Sequence, residues 1–291
     1  MRFVEYISQY VSELETGTRC KRRHAVPVTK NTLTGYETLR SVMKRFEVDT
    51  GRQYEIEEIG MEFQRAFAGW CYGRRLKSNT LRQYLTLVRV VMNSAVREHL
   101  CSNTEFRMAE FIPLEVETEM MVLSPEMIAR LMGHRFNDER LARARDLFVV
   151  GYLTGQRFSD YSRICREMYA EIAGKRFVRV VQRKTGCEVY VPLDSRVNEI
   201  LRRYGGKLPK MSLKEFNKRL REVSEELGWE RMGKMTSHTA RRSFATNAYA
   251  AGISMASIMC ITGHTREEHL RKYLRLKAEL TAVQAARDLI G

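Results

Sequence analysis

Six side chains of this 291-residue sequence are of types that act as nucleophiles, as acids or bases, or as anion-binding groups. In chain order they are Arg157, Lys184, His238, Arg241, His264 and Tyr273. Arg157 ends the run Thr154-Gly155-Gln156-Arg157, and Lys184 stands between two apolar stretches. His238-Thr239-Ala240-Arg241 places a histidine and an arginine on one face of a helix. Gly263-His264 and then Tyr273 follow.

Each of these features is ordinary when it stands alone. An H-x-x-R run at the start of a helix is most often a capped helix with an exposed basic turn. Arg157 at the end of an apolar helix would satisfy the negative end of the helix dipole, and Lys184 at a hairpin tip would be solvated. A metal site is disfavoured because no carboxylate or cysteine stands at ligand spacing beside the histidines. The order and spacing of the whole set make it specific.

The pattern T-G-x-R, a hairpin lysine, H-x-x-R, G-H and a tyrosine nine residues later resembles the tyrosine recombinases, the phage-integrase-like family. The resemblance holds in motif detail from Ser124 onward and in outline before it. It implies the two-domain form without an N-terminal arm-binding domain. Two positions depart from the family pattern: Thr262 replaces a usual leucine, and Leu270 replaces a frequent threonine. Neither position carries chemistry in the family, so we expect these departures to affect local packing only.

The resemblance implies that Tyr273 attacks a DNA phosphodiester and becomes joined to the 3′ phosphate. A phenol with a pKa of about 10 is a poor nucleophile at neutral pH and needs a nearby base or positive charge. Arg157 and Arg241 would stabilise the charge that develops on the phosphate oxygens, since an arginine cannot lose its own charge. His264 would add a donor to the same oxygens, and His238 would accept or return the tyrosine proton.

The remaining roles also come from the resemblance. Lys184 would protonate the leaving 5′ oxygen, and Asp160 would orient Arg157 unless it forms an ordinary surface salt bridge. No metal is implied, because arginines do the charge work that metals do in two-metal nucleases. No ATP is implied, because the covalent link conserves bond energy and the sequence has no phosphate-binding glycine loop. We therefore expect no cofactor.

The composition is that of a soluble globular protein, with 44 % hydrophobic and 29 % charged residues. A net charge of +15 favours a polyanionic binding partner. The six cysteines form no C-x-x-C pair, and the N-terminus has no secretory signal pattern. The longest uncharged stretch, residues 243–265, contains polar residues and is interrupted by glycines. These features predict a cytoplasmic, nucleoid-associated protein and disfavour a membrane partner.

Apolar periodicity predicts four helices in the first hundred residues, at 3–14, 32–46, 61–72 and 80–100. Acidic residues gather where that periodicity lapses. We therefore predict a helical core-type DNA-binding domain over 1–105, a linker over 106–123 and a catalytic domain over 124–291.

The second domain begins with a helix at Ser124-Pro125, a capping serine followed by proline. A further helix is predicted at 139–153, with Gly155 as its C-cap. Strands are predicted at 176–182 and 188–193 from their β-branched and aromatic residues, and helices resume after them. The predicted fold class is mostly α with a small β-hairpin: a helical bundle followed by a mixed α+β catalytic domain.

Two basic surfaces are predicted to bind DNA. Residues 202–221 contain eight lysines and arginines against one acidic residue, which is too lopsided for an ordinary solvated face. The predicted contacts there are Arg202, Arg203, Lys207, Lys214, Lys218 and Arg219. In the first domain they are Lys21, Arg22, Arg23, Arg74, Arg75, Lys77 and Arg82. The helix start Ser78-Asn79-Thr80 offers backbone amides to a phosphate.

The resulting hypothesis is a site-specific recombinase that integrates, excises or inverts double-stranded DNA carrying specific sites. The family works as tetramers on two sites, and residues 278–290 are predicted to dock on a neighbouring subunit unless they pack within their own. Two other readings stay open. One is a type IB topoisomerase, which would relax supercoils as a monomer, and the other is a non-catalytic, basic DNA-binding regulator.

Overall fold

The computed structural model describes residues 1–20, 26–118 and 120–274, apart from the side chains of Lys272 and Tyr273. Its contacts divide the chain into two units, Met1–Thr118 and Glu119–Gly291. Each unit has its own hydrophobic core. Among the described residues, no helix is long and apolar enough to cross a membrane.

The first unit contains the four predicted helices. Their bounds are Phe3–Glu15 (α1), Lys30–Thr50 (α2), Met61–Gly73 (α3) and Ser78–Arg97 (α4). Helix α2 is longer than predicted at both ends, because Thr29 caps its start and Gly51, with φ +69°, ends it. Apolar residues three and four apart bury one face of each helix. The prediction of a helical first domain is confirmed.

Aromatic rings fill much of this first core. Phe46 of α2 contacts Phe63, Phe67 and Trp70 of α3 with ring centroids 5.2–6.0 Å apart. Aromatic pairs at such distances add packing energy beyond the area that they bury. The rings therefore hold α2 and α3 together.

The segment that follows α4 differs from the predicted linker of residues 106–123. Short 3₁₀ turns at Glu105–Arg107 and Ala109–Phe111 bury Phe106 and Phe111 completely in the first core. At the other end, Met121 and Leu123 are buried in the second core. The stretch between the two cores is therefore shorter than predicted, because four apolar residues within the expected linker pack into one core or the other.

The second unit is mostly helical. Its helices are Pro125–Gly133 (α5), Glu139–Thr154 (α6), Phe158–Tyr161 (α7), Ser195–Arg203 (α8), Leu213–Glu226 (α9), Ser237–Ala250 (α10), Met255–Thr262 (α11) and Glu267–Leu274 (α12). The Ser124 side chain accepts a hydrogen bond from the Met127 amide, as the predicted cap requires. Gly155 ends α6 in the left-handed region. Helix α6 packs against α9 and α10 and is central to the second core.

A three-stranded antiparallel sheet carries the hairpin. Its strands are Tyr169–Ile172 (β1), Lys175–Val181 (β2) and Glu188–Pro192 (β3), in the order β1-β2-β3. The first strand is additional to the prediction. It is only four residues long and has no alternating apolar pattern, so local sequence gives no signal for it. The predicted fold class, mostly helical with a small sheet, is confirmed.

Helices α10, α11 and α12 share a small separate cluster of buried side chains. Ala245 and Ala248 of α10, Ile258 of α11, and Leu270 and Leu274 of α12 form it. Leu270 is fully buried, so at this position the chain uses an apolar side chain for packing. The cluster fixes α12, which carries Tyr273, against the helix of His238 and Arg241.

Candidate active site

Arg157 donates a hydrogen bond to an amide side chain. It lies three residues after the end of α6, as the N-cap residue of α7, and its side chain is half-buried. Its Nη1 atom lies 2.8 Å from Oε1 of Gln182, which follows β2. This contact joins the end of α6 to the hairpin of Lys184. An uncharged acceptor orients the guanidinium without cancelling its positive charge.

Arg241 joins two other parts of the sequence pattern. Its side chain lies on α10 and is 1 % exposed. Nη1 donates a 2.9 Å hydrogen bond to the carbonyl oxygen of Gly155, the residue that ends α6. Nη2 lies 3.2 Å from Nε2 of His264. The T-G-x-R, H-x-x-R and G-H segments therefore meet at one guanidinium.

Two glycines of the pattern permit these approaches. Gly155 has φ +63°, and a Cβ atom there would collide with the Phe244 ring. Gly263 has φ +69°, and a Cβ atom there would collide with the Gln182 amide. Residues with a side chain are strained at these positive φ values, and their Cβ atom would also have no space here. Backbone conformation and packing both require glycine at these positions.

The partners of His264 match a neutral imidazole. Burial, and after it the positive charges of Arg241 and Arg157, lower its pKa to about 4. Arginine only donates, so Nε2 accepts from Arg241 and the ring proton is assigned to Nδ1. Nδ1 lies 2.8 Å from Oγ1 of Thr262, whose hydroxyl donates to the carbonyl of Ile258. The ring thus contacts Arg241, and its expected role as a donor to the phosphate stays a prediction.

Thr262 contributes more than the packing role expected of it. Its Oγ1 atom is the acceptor that assigns the Nδ1 proton of His264, and its carbonyl oxygen accepts a hydrogen bond from Gln182. A leucine at this position would provide the carbonyl but no side-chain acceptor. The departure from the family pattern therefore affects the site itself.

His238 is also held in its neutral form. Although part of its side chain is exposed, desolvation lowers the pKa of the ring below 6.5. The positive charges of four residues lower it further: Arg242, Arg241, Arg157 and Lys184. A neutral imidazole can accept a proton at pH 7.

Lys184 is exposed on the turn between β2 and β3. The buried carboxylate of Asp160 anchors this turn, since its Oδ1 atom accepts a 2.9 Å hydrogen bond from the backbone amide of Arg183. Asp160 also pairs with the Arg163 guanidinium at 3.8 Å. Its side chain therefore holds the hairpin, whereas the sequence analysis expected it to orient Arg157 or to form only a surface salt bridge.

Tyr273 belongs to α12, and its side chain lies outside what the structure describes. The neighbouring Leu274 is buried, and its carbonyl oxygen accepts a 3.2 Å hydrogen bond from the Thr246 hydroxyl of α10. The backbone that carries Tyr273 is therefore tied to α10. The predicted docking helix at 278–290 lies outside the described residues.

The predicted DNA contacts of the first unit fall into three groups. Lys21, Arg22 and Arg23 lie outside the described residues. Arg75 and Lys77 are exposed. Arg74 pairs with Asp49 and stacks on the Trp70 ring at 4.9 Å, and Arg82 donates to the carbonyl of Pro113. Asn79, in the predicted phosphate-binding helix start, pairs with the backbone of Val116.

The basic stretch of the second unit divides in the same way. Arg202, Lys207 and Lys214 are exposed, and Lys218 is exposed with Glu222 at 4.0 Å. Arg203 pairs with buried Asp146 at 2.5 Å, and Arg219 pairs with Glu222 at 2.8 Å. Both arginines therefore have structural partners within the protein.

Two amide side chains of the site, Gln156 and Gln182, were not predicted from the sequence. Both are fully buried, and Nε2 of Gln182 donates a 2.8 Å hydrogen bond to Oε1 of Gln156. A signal for Gln182 existed: Val178, Val180 and Gln182 alternate along one strand, so the glutamine continues the inward face. A polar group at such a position requires partners. Within the described ranges, no group of three potential metal ligands is present.

The fold is similar to those of several solved DNA recombinases. An integrase of the Tn1549 transposon (aa 82–397), in complex with circular intermediate DNA, aligns with a TM-score of 0.74 and 14 % identity over 98 % of this chain and 99 % of that one. A lambda integrase (75–356) dimer bound to a COC′ core site gives 0.72 and 16 %, covering 94 % and 95 %. The XerH recombinase in a post-cleavage complex gives 0.73 and 12 %, covering 97 % and 95 %.

Sequence profiles give the assignment independently of these structures. A search of curated protein sequences finds no significant match. The profile of the phage integrase family matches residues 121–279, more than half of the chain. The profile of the phage integrase SAM-like domain matches residues 2–111. Together with the contacts of Arg157, Arg241 and His264, these matches show that the chain belongs to the phage integrase family, whose members carry out site-specific DNA recombination.

Proposed function

We propose that this chain cleaves and rejoins duplex DNA through a covalent link between Tyr273 and a 3′ phosphate. The observation that carries the proposal is the network in which Arg157 bonds to Gln182 and Arg241 bonds to Gly155 and His264. These contacts join Arg157, Arg241 and His264 from distant sequence segments, and Gln182 lies two residues before Lys184. The proposed domains are a DNA-binding unit that ends near Thr118 and a catalytic unit that follows it.

In the proposed reaction, Tyr273 attacks the phosphorus atom and displaces the 5′ oxygen. The non-bridging oxygens gain negative charge as the phosphorane forms, and Arg157 and Arg241 stabilise that charge. Their acceptors named above are a neutral amide and a neutral carbonyl, which orient the guanidiniums and leave their charge available. His264 orients Arg241 from the other side.

Proton transfers complete each cleavage step. His238, whose pKa is lowered by burial and neighbouring positive charges, takes the proton of the tyrosine hydroxyl. Lys184 gives a proton to the leaving 5′ oxygen from the exposed turn that Asp160 anchors. Rejoining reverses both transfers. In this scheme the guanidiniums supply the charge stabilisation and the phosphotyrosine bond stores the energy, so the steps use neither metal nor ATP.

The proposed assembly is a tetramer on two specific DNA sites, with residues 278–290 docking on a neighbouring subunit. The exposed basic residues near Lys77 and Lys214 would contact the phosphate backbone. A DNA substrate of this kind implies a cytoplasmic protein associated with the nucleoid.

A nicked suicide substrate tests the nucleophile. On it the cleaved strand diffuses away, the covalent complex accumulates, and mass spectrometry is expected to locate the nucleotide on the peptide that contains Tyr273. Tyr273→Phe should bind the same DNA and form no adduct, because only the hydroxyl is lost. Tyr249→Phe is the matched control, since Tyr249 packs beside the same small cluster of α10–α12.

Two outcomes would overturn the proposal. One is an adduct on another residue, and the other is persistent cleavage by Tyr273→Phe. Relaxation of a supercoiled plasmid that carries no paired sites would favour the type IB topoisomerase reading.

A further inference from the structure

Gln182 is a fully buried polar side chain that continues the inward face of β2, on which Val178 and Val180 are buried. It stands two residues before Lys184 and directly after β2. The backbone amide of Gln182 donates to the carbonyl of Cys187, and its carbonyl oxygen accepts from the Gly186 amide. The backbone of this residue therefore closes the turn, and its side chain points away from solvent.

The side-chain amide of Gln182 makes four hydrogen bonds. Its two donor positions reach Oε1 of Gln156 and the carbonyl oxygen of Thr262, both at 2.8 Å. Its oxygen accepts from Nη1 of Arg157 at 2.8 Å and from the Thr185 hydroxyl at 3.1 Å. A glutamine has two donors and one oxygen with two lone pairs, so its capacity is fully used.

These four bonds also define the orientation of the amide. In the flipped orientation the NH₂ group would face the Arg157 guanidinium, and the oxygen would face the Thr262 carbonyl. Both contacts would be repulsive. Gly263 further restricts the position of Gln182, because the amide occupies the space where a Cβ atom of residue 263 would lie. The amide therefore has one place and one orientation.

We propose that Gln182 is a positioning residue that holds the Arg157 guanidinium in the geometry needed for phosphate cleavage. This inference rests on the proposed function. Arginine has a long side chain with several rotatable bonds, and a half-buried one is not ordered by packing alone. A neutral amide fixed by three other partners orders it and preserves its charge.

The orientation of Arg157 matters because charge stabilisation depends on where the donors point. A displacement of about 1 Å at a catalytic group costs about 100-fold in rate. Gln182→Met retains the length of the side chain and removes all four hydrogen bonds. We expect its single-turnover cleavage rate to fall by about 10- to 100-fold, with DNA affinity within about twofold of the original.

A matched control is needed to show that a slower Gln182→Met enzyme is not simply a less stable one. Asn247 of the same unit donates to the Leu123 carbonyl and to the Tyr152 hydroxyl at 3.0 and 3.2 Å. Asn247→Leu removes those bonds without touching Arg157, Lys184 or either histidine. We expect it to lower the melting temperature while its cleavage rate stays within about twofold of the original. An equal loss of rate in both variants would reduce Gln182 to a structural role and overturn the proposal.

A double-mutant cycle tests the route through Arg157. If Gln182 acts by orienting this guanidinium, adding Gln182→Met to Arg157→Ala should change the rate by less than about twofold. If the two losses multiply, Gln182 acts through some other group. Gln182→Asn is the second variant for the case in which the methionine variant does not fold. It retains an amide but is one methylene shorter, and we expect it to show the same non-additivity with Arg157→Ala.

A modified substrate distinguishes a defect in the orientation of Arg157 from a defect in proton donation by Lys184. A 5′ thiol leaving group departs without a proton and so does not need a general acid. We expect Gln182→Met to stay slow on this substrate, and full rescue would mean that the defect lies in the Lys184 hairpin. Failure of the proposed function would give a different result. In that case the unmodified enzyme itself would form no adduct at Tyr273, whatever the effect of Gln182.

Discussion

Arg157 and Arg241 of the candidate site differ from Arg74 and Arg19 of the first unit in the kind of acceptor that holds them. In the first unit, Arg74 pairs with Asp49, and Arg19 pairs with Glu13 at 2.6 Å and with Glu98 at 2.8 Å. In the second unit, Arg157 donates to an amide and Arg241 to a backbone carbonyl. A carboxylate orients an arginine and cancels its charge, whereas a neutral acceptor only orients it.

The pKa values of the titratable groups beside these arginines are lowered in both places, for different reasons. Around Asp49, desolvation raises the pKa, but hydrogen bonds from Trp70 and Arg74 outweigh it, and the pKa falls. Around His264 and His238, burial and the positive charges of neighbouring arginines act in the same direction and lower the pKa of both rings. A positive field beside neutral imidazoles suits the attack of a phenol on a phosphate diester.

The largest expected effect is a difference in cleavage rate between variants of an arginine with a neutral acceptor and of an arginine paired with a carboxylate. Arg157→Ala should lower single-turnover cleavage by about 10³-fold, the loss typical of removing one preorganised donor to a developing oxyanion. Arg74→Ala removes a guanidinium that Asp49 already pairs, so its cleavage rate should stay within about twofold of the original at saturating DNA. Rapid-quench rates on the nicked substrate measure both. Comparable losses in the two variants would contradict the distinction drawn between them.

A smaller loss is expected for Lys184→Ala on ordinary DNA, about 100-fold, since general acid catalysis contributes at least that much. On a substrate with a 5′ thiol leaving group the variant should recover nearly the rate of the original enzyme. The same comparison made with and without EDTA checks that cleavage needs no metal ion. An enzyme equally slow on both substrates would limit Lys184 to binding.

Measurements of DNA affinity should divide the basic stretch 202–221 into residues that contact DNA and residues that pair with a carboxylate of the protein. Each phosphate contact contributes about 0.9 to the slope of log affinity against log salt concentration. Lys207→Ala with Lys214→Ala should therefore reduce that slope measurably. Arg203→Ala, which leaves buried Asp146 without this partner, should instead lower the melting temperature. Fluorescence anisotropy between about 50 and 200 mM salt, with thermal melting, tests both; a reduced slope for Arg203→Ala alone would reverse the assignment.

The smallest effect concerns pH. The pKa of His264 is lowered from 6.5 to about 4, so between these values the unfolded chain binds more protons than the folded one. Stability should therefore fall as the pH falls through that window. His264→Gln should lessen the fall in melting temperature. His99→Asn, at an exposed site of the first unit with φ +58°, should leave it unchanged. Identical pH profiles for all three proteins would refute the burial of a neutral ring.

Much of the architecture follows from local patterns. Apolar spacing marks the helices, Ser124 and Gly155 mark helix ends through their own capping chemistry, and β-branched residues mark β2 and β3. Such signals depend on residues within a few positions of one another. The short β1 lacks them and was not predicted.

By itself the sequence determined which residue types are available for the chemistry, their order, and the family to which the pattern belongs. Only the tertiary structure decided what holds them. Arg241 donates to a carbonyl 86 residues earlier, and Gln182 donates to the Thr262 carbonyl across 80 residues. Asp160, expected beside Arg157, holds the Arg183 amide instead. A backbone carbonyl has no residue type to recognise, and its meeting with a side chain depends on how whole helices pack, so no local pattern could reveal these contacts.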